Sequence, residues 1–139
     1  MKVAIVGSRT FKNFDLLEKS ITNIISIEDI TEIVSGEAEG ADRVGKTFAT
    51  IHKLAYKGFP AQWRVNGVYD NAAGFKRNKL IVERADIVIA FWNGHSRGTR
   101  HTMDLAEKAG KTLYTILFDD VITPEEMIKM EKYQKIKRL

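Results

Sequence analysis

Short apolar runs that each stop at a turn residue, separated by stretches of helical periodicity, limit the fold of this chain more than any other feature. Residues 3–6 are one such run, stopped by Gly7, and residues 31–35 are a second, closed by Gly36. A weaker third covers 54–59 before Pro60. Residues 86–92, DIVIAFW, are the clearest, and 111–118 are the fifth. Between them, Asn13 can cap a helix in which Phe14, Leu17, Ile21, Ile24 and Ile25 recur at helical spacing. A helix over 40–54 carries Ala41, Val44, Phe48, Ile51 and His52 on or near one face. A third over 73–85 carries Leu80, Ile81 and Arg84, and a fourth over 99–109 is stopped by Gly110. Thr123, Pro124 and Glu126 form a capping box with proline at the first helical position, which predicts a last helix over 124–139.

Alternation of this kind predicts an α/β fold: a Rossmann-like three-layer sandwich with a mainly parallel five-stranded sheet, order 3-2-1-4-5, and helices on both faces. The length is that of one domain, 1–139, with its core over about 1–118. The absence of cysteine excludes disulfides, thiolate zinc sites and a cysteine nucleophile, and suits a reducing, cytoplasmic setting. The first residues have too few apolar positions for a signal-peptide core, and no run approaches membrane-spanning length. Net charge is +4 with pI near 9.3. Part of that surplus is local, since 125–139 hold five basic and three acidic residues, as a solvated helix would. No dense Lys/Arg run with interleaved aromatics is present, so nucleic acid is not the expected partner.

In a doubly wound sheet, ligands bind outside the carboxyl ends of the strands where strand order reverses. The loops there hold Gly7, Ser8 and Arg9 after the first strand, and Asn93, Gly94, His95, Ser96, Arg97, Gly98 and Thr99 after the fourth. Beside them lies the loop after strand two, with Ser35, Gly36, Glu37, Ala38, Glu39 and Gly40. Glycines bring backbone N–H groups close to a ligand, and Gly40 and Gly98–Thr99 are expected to precede helices whose N-termini favour an anion. Serine and threonine hydroxyls with Arg9, Arg97 and Arg100 add donors and charge for phosphate. A fourth element joins Trp63 and Tyr69, either able to stack on a base, to Gly74, Arg77 and Asn78 at a helix start. Neither G-x-G-x-x-G nor a Walker lysine motif is present. His52, His95 and His101 lack metal-ligand spacing, so no metal or other cofactor is expected.

Taken in order, MKVAIVGSRTF, IVSGEAEGAD, FPAQW, AAGFKRN and ADIVIAFWNGHSRGT resemble the SLOG superfamily, in its small branch related to YspA and YpsA. The resemblance runs from Met1 to about Ile116. It implies a Rossmann-like domain, found stand-alone in bacteria and phages, that binds nucleotides or molecules derived from them. Relatives include cytokinin-activating phosphoribohydrolases, DNA-processing protein A and sensor domains of anti-phage systems. By resemblance, the ligand-binding positions are Gly7, Ser8, Arg9, Ser35, Gly36, Glu37, Gly40, Asp42, Arg77, Asn78 and Ser96 to Thr99. Asn93 and Gly94 join them from the loop reading. Glu37 stands where the family has glycine, and Gln62 where it has aspartate, while the stretch from Trp63 to Ala72 is longer than usual. The hydrolase branch is similar to G-G-x-G-T-x-x-E, and Thr102 occupies the position of its catalytic glutamate.

The expected function is therefore binding of a phosphate-bearing nucleotide derivative, such as an ADP-ribose-like molecule, to sense, carry or sequester it. The enzymatic alternative is N-glycosidic cleavage of a nucleoside monophosphate, with Glu37 and Asp42 as the candidate catalytic pair. The second alternative is single-stranded nucleic-acid binding. Relatives commonly self-associate, which makes a homo-oligomer the expectation, with Met127, Met130 and Tyr133 as candidate contacts.

Overall fold

The computed structural model describes residues 1–119. The expected helix over 124–139, with its candidate self-association contacts, lies outside the described residues. The chain opens with strand β1 (Lys2–Gly7), helix α1 (Phe14–Ile24) and a short 3-10 turn (Ile27–Asp29). Strand β2 (Glu32–Ser35), helix α2 (Ala41–Ile51) and strand β3 (Ala55–Gly58) follow. Two-residue strands β4 (Arg64–Val65) and β5 (Val68–Tyr69) lead into helix α3 (Ala73–Arg84). Strand β6 (Ile87–Trp92), helix α4 (Arg97–Lys108) and strand β7 (Thr112–Leu117) complete the described fold.

The main sheet is parallel throughout, in the order β3-β2-β1-β6-β7. This is the expected 3-2-1-4-5 order with a small antiparallel hairpin, β4-β5, inserted between the third and fourth strands. The hairpin was not expected, because its strands are exposed on both faces and show no apolar alternation. Its one local signal is Asn66-Gly67, both in the left-handed region that a tight hairpin turn requires.

Strand residues of alternate parity feed opposite layers. Val3, Ile5, Ile33, Ile87, Ile89 and Phe91 pack on Leu17 and Ile21 of α1 and Phe48 of α2. Ala4, Val6, Val34, Val88, Ala90 and Trp92 pack on Ile81 and Val82 of α3 and Met103 and Ala106 of α4. A strand covered on both faces must be apolar at every position, which is why β6 reads as a continuous run. Edge strand β3 is only half covered, and its sequence signal is correspondingly weak. Ile51, placed near the packing face of α2, is more than half exposed instead.

Order reverses between β1 and β6, whose registers run from Val3 beside Ile87 to Gly7 beside Phe91. The loops leaving their carboxyl ends are tied together there. Ser8 N–H donates to Phe91 O at 2.9 Å, and Asn93 N–H donates to Ser8 Oγ at 3.2 Å.

Candidate functional site

A cleft of about 410 Å³ opens at this switch point, on the α3 and α4 side of the sheet. Val6, Gly7 and Ile81 form part of its floor, while Arg9, Ala38 and Asp42 line it from the first two loops. Asn71 lines it from just before α3, which contributes Gly74, Phe75, Arg77 and Asn78, and α4 contributes Gly98, Thr99 and Thr102 with its cap Ser96. Trp63 closes the rim from the segment that enters the hairpin. Three helix N-termini thus border one space; Ser8 O, Asp70 O and Ser96 Oγ take the Ala41, Ala73 and Thr99 N–H groups, and the other first-turn N–H groups have no partner within their helices. Together with Arg9 they supply donors and positive charge for an anion.

Close approach of backbone to backbone builds this geometry. A Cβ on Gly7 would lie 2.2 Å from Phe91 O. Gly40, with φ +81°, presses on the first loop so tightly that a Cβ would sit 2.3 Å from Ser8 O. Ser8 O in turn accepts the Ala41 N–H at 3.2 Å, which seats the start of α2 on the Ser8–Arg9 turn.

Helix α4 begins at Arg97, two residues earlier than the spacing suggested. Ser96 is its cap, accepting the Thr99 N–H on Oγ at 3.3 Å. Gly98 and Thr99 therefore belong to the first turn rather than the loop before it. Asn93 shapes that loop: its Oδ1 accepts the N–H groups of His95 and Ser96, each at 2.9 Å. The Trp92 indole N–H donates to Ser96 O at 3.0 Å and fixes the loop from below.

Asp42 and Arg77 form the polar centre. Asp42 is only 6% exposed, and its Oδ2 accepts the Ala38 N–H at 3.1 Å. Burial raises its pKa from 3.8 to about 6, against the opposing pull of the Ala38 N–H and Arg77. Arg77 donates to Gly36 O and, at 3.5 Å, to Phe59 O, and its Nε–H donates to Asn78 Oδ1 at 3.0 Å. Burial lowers the Arg77 pKa, Asp42 opposes this, and the charge of Arg9 adds to the lowering. Two cations within electrostatic reach of each other at one wall favour an anion between them. Asn78, also buried, faces Gly98 O at 3.4 Å and His101 Nδ1 at 3.3 Å, linking α3 to α4.

A raised carboxyl pKa carries a definite sign. Asp42 contributes its full stability below about pH 4, where it is protonated folded or unfolded, and that contribution is lost as pH rises through about 6. The gap between 3.8 and about 6, at about 1.4 kcal/mol per pH unit, is worth at most about 3 kcal/mol. Thermal melts of the wild type and Asp42→Asn at pH 4.5 and 8 should show the wild type losing ground to the variant as pH rises. A wild type that gains on the variant over that range would mean that Arg77 dominates and holds the carboxylate ionised.

Several expected residues lie elsewhere. Glu37 is not on the cleft wall: at φ +61° it turns its carboxylate to the β3 edge, where Oε1 would be 2.0 Å from a Cβ on Gly58 and lies 3.8 Å from Lys46 Nζ. Glu37 and Asp42, the candidate catalytic pair, therefore face different ways, although the charge of Glu37 adds to the raising of the Asp42 pKa. Ser35 is buried beneath the loop, its Oγ 2.5 Å from Tyr56 Oη, and burial pushes that phenol up to about 12. Ser8 is buried and occupied by the Asn93 N–H, and Gly36 holds Arg77 through its carbonyl. Gly94 and Arg97 line a separate groove with Trp92, His95, Arg100, His101 and Asp104.

Of the two aromatics considered for stacking, Trp63 lines the cleft and Tyr69 stands behind it, rings 6.1 Å apart and nearly parallel. Asn71 and Phe75 were not singled out in the sequence, and Thr102 was read only as the replacement of a glutamate, not as a lining residue. Phe75 is half exposed, with its ring 4.5 Å from that of His101. An aromatic left uncovered in the first turn of a helix that opens on a loop was the signal available for it. Thr102 is buried, and its hydroxyl donates to Gly98 O at 3.2 Å.

The model of the YAcAr family, described as YspA, cpYpsA-related SLOG, matches residues 1–65. Gene 61 protein of Mycobacterium phage D29 is 32% identical over 123 residues, covering 78% of this chain and 90% of that protein. Among solved structures, DNA processing protein A from Helicobacter pylori, characterised for its single-stranded DNA binding mode, superposes with a TM-score of 0.61. That likeness covers 96% of this chain and 73% of the other at 19% identity, and so is one of fold. Among the described residues, no helix is long and apolar enough to cross a membrane.

Proposed function

This chain belongs to the YspA, cpYpsA-related SLOG family, and from that premise we propose that its cleft binds a nucleotide-derived small molecule through phosphate and base together. The observation that carries this reading is the convergence of three helix N-termini and Arg9 on a space rimmed by two exposed aromatics, Trp63 and Phe75. The phosphate sits against Arg9 and the first turns of α3 and α4. The base lies toward Trp63 and Phe75, which are 40% and 50% exposed and hold one ring neighbour each, Tyr69 and His101, leaving the other side of each ring to the ligand. Asp42 accepts from a sugar hydroxyl when ionised.

Binding without turnover is the favoured form of this function. Cleavage of an N-glycosidic bond needs a carboxylate at the sugar and a second group to activate water. Asp42 is the one carboxylate among the described lining residues, and Thr102 stands at the position of the hydrolase branch's glutamate.

The test is to mix purified protein with AMP, ADP-ribose, NAD and cyclic dinucleotides, then identify what is bound and what is released on heating by mass spectrometry. An intact ligand is expected, and Arg9→Gln should weaken its affinity about tenfold or more. Release of free base with ribose phosphate would replace the binding reading with hydrolysis. No binding of any of these would remove it. A second reading, single-stranded nucleic-acid binding, draws support from the fold likeness and from the exposed Trp63 and Phe75. It predicts oligonucleotide affinity that falls steeply with salt.

A further inference from the structure

Beside the cleft, on the other side of Arg9, runs a second groove of about 520 Å³. Its apolar lining includes Phe14 and Val44, and three cations stand along it: Arg9, Lys12 and Arg43. Lys12 comes from the loop between β1 and α1, and Arg43 from the first turn of α2. All three are exposed, and among the described residues none of them is in an ion pair. The lining holds one carboxylate, Glu39, so the groove carries a net positive charge of two. Surface cations usually gain by pairing with or spacing themselves from one another; three held around one concavity create a potential that favours an anion. Arg9 lines both spaces, so an anion in the groove and one in the cleft would share it.

We propose that this groove is a second phosphate subsite of the same ligand. The ligand is then a nucleotide bearing two phosphate groups, pyrophosphate- or phosphodiester-linked, rather than a nucleoside monophosphate. This rests on the function proposed above. The first phosphate takes the cleft side of Arg9, and the second takes Lys12 and Arg43. A guanidinium between two phosphates can offer separate N–H edges to each, which a lysine cannot do. A monophosphate leaves the groove empty.

The experiment is isothermal titration of AMP, ADP, ADP-ribose and an eight-residue oligothymidylate into the wild type, the double variant Lys12→Gln/Arg43→Gln, and Arg9→Gln. ADP and ADP-ribose are expected to bind the wild type about tenfold more tightly than AMP. The double variant should lose that advantage while its affinity for AMP changes less than about twofold, and Arg9→Gln should weaken all three. Equal affinities of AMP and ADP for the wild type, or a double variant that treats them as the wild type does, would overturn the subsite while leaving the cleft reading intact. If Arg9→Gln changes nothing, both fall. If only the oligothymidylate depends on Lys12 and Arg43, the second phosphate belongs to a strand and the small-molecule assignment is overturned. Both exposed positions tolerate glutamine on a helix start or loop, and unchanged melting temperatures will verify this.

Discussion

Arg77→Met is expected to lower the melting temperature by about 10 °C at pH 8, and by clearly less at pH 5. The reason is that Arg77 is the cation beside a buried carboxyl. Methionine fills the aliphatic stem but leaves Asp42 without its opposing charge, and leaves Gly36 O and Phe59 O without their donor. Loss of the electrostatic support to Asp42 and of the hydrogen bonds to two carbonyls, at about 1 kcal/mol each, totals about 3 kcal/mol. Near this chain length that corresponds to roughly 3–4 °C per kcal/mol. The pH dependence identifies the mechanism. Below about pH 6 Asp42 takes up a proton and needs no cation, so only the two carbonyl contacts remain to be lost. Circular dichroism melts at the two pH values will separate the cases. An equal loss at both would mean that Arg77 acts through the carbonyls alone. Arg77→Lys should recover part of the charge interaction but not the two-carbonyl grip.

Gly40→Ala is expected to be of similar size, about 3 kcal/mol, and to abolish ligand binding. Two costs add at this residue: a left-handed φ of +81°, and a Cβ 2.3 Å from Ser8 O and 2.5 Å from the Arg9 backbone. Neither obstacle is the tip of a flexible side chain, so the loops must separate, and the turn that aims Arg9 into the cleft moves with them. Gly98→Ala is the matching control. It stands in the first turn of α4 with nothing within 4 Å of the added methyl, so its stability should be unchanged or rise by about 0.5 kcal/mol. Chemical denaturation of both variants checks the contrast. Loss of stability in Gly98→Ala, or none in Gly40→Ala, would refute the account of how the two loops are locked.

Much of the architecture was written locally. The runs at β1 and β6 are apolar at every position because both faces of a central parallel strand are covered, and the glycines after them mark where the chain turns. Those two facts, with the right-handed crossover rule, are enough to order the sheet and to name the edge at which the cleft opens. The positions of Gly7, Arg9, Ser96 and Thr99 near that edge follow from the same reasoning, since place along the chain relative to the strands is a property of sequence order, whereas Arg77 came from a predicted helix start and Asp42 from the family resemblance.

What stayed hidden was direction. A string of residues says that Glu37 and Asp42 share a loop and a helix start; it does not say that a φ of +61° turns one carboxylate toward Gly58 while the first turn of α2 buries the other beside Arg77. Nor does it say which of Trp63 and Tyr69 reaches the cleft, because that depends on a two-residue hairpin whose exposed strands carry no periodic signal. The grouping of Lys12 with Arg43 is of the same kind, since they are 31 positions apart and meet only because α2 starts against the first loop. Burial pattern and turn chemistry act over neighbouring residues and so determine strands, helices and their order from sequence alone. Side-chain orientation, ionisation and the joining of distant charges depend on through-space packing, and the tertiary structure alone decided them.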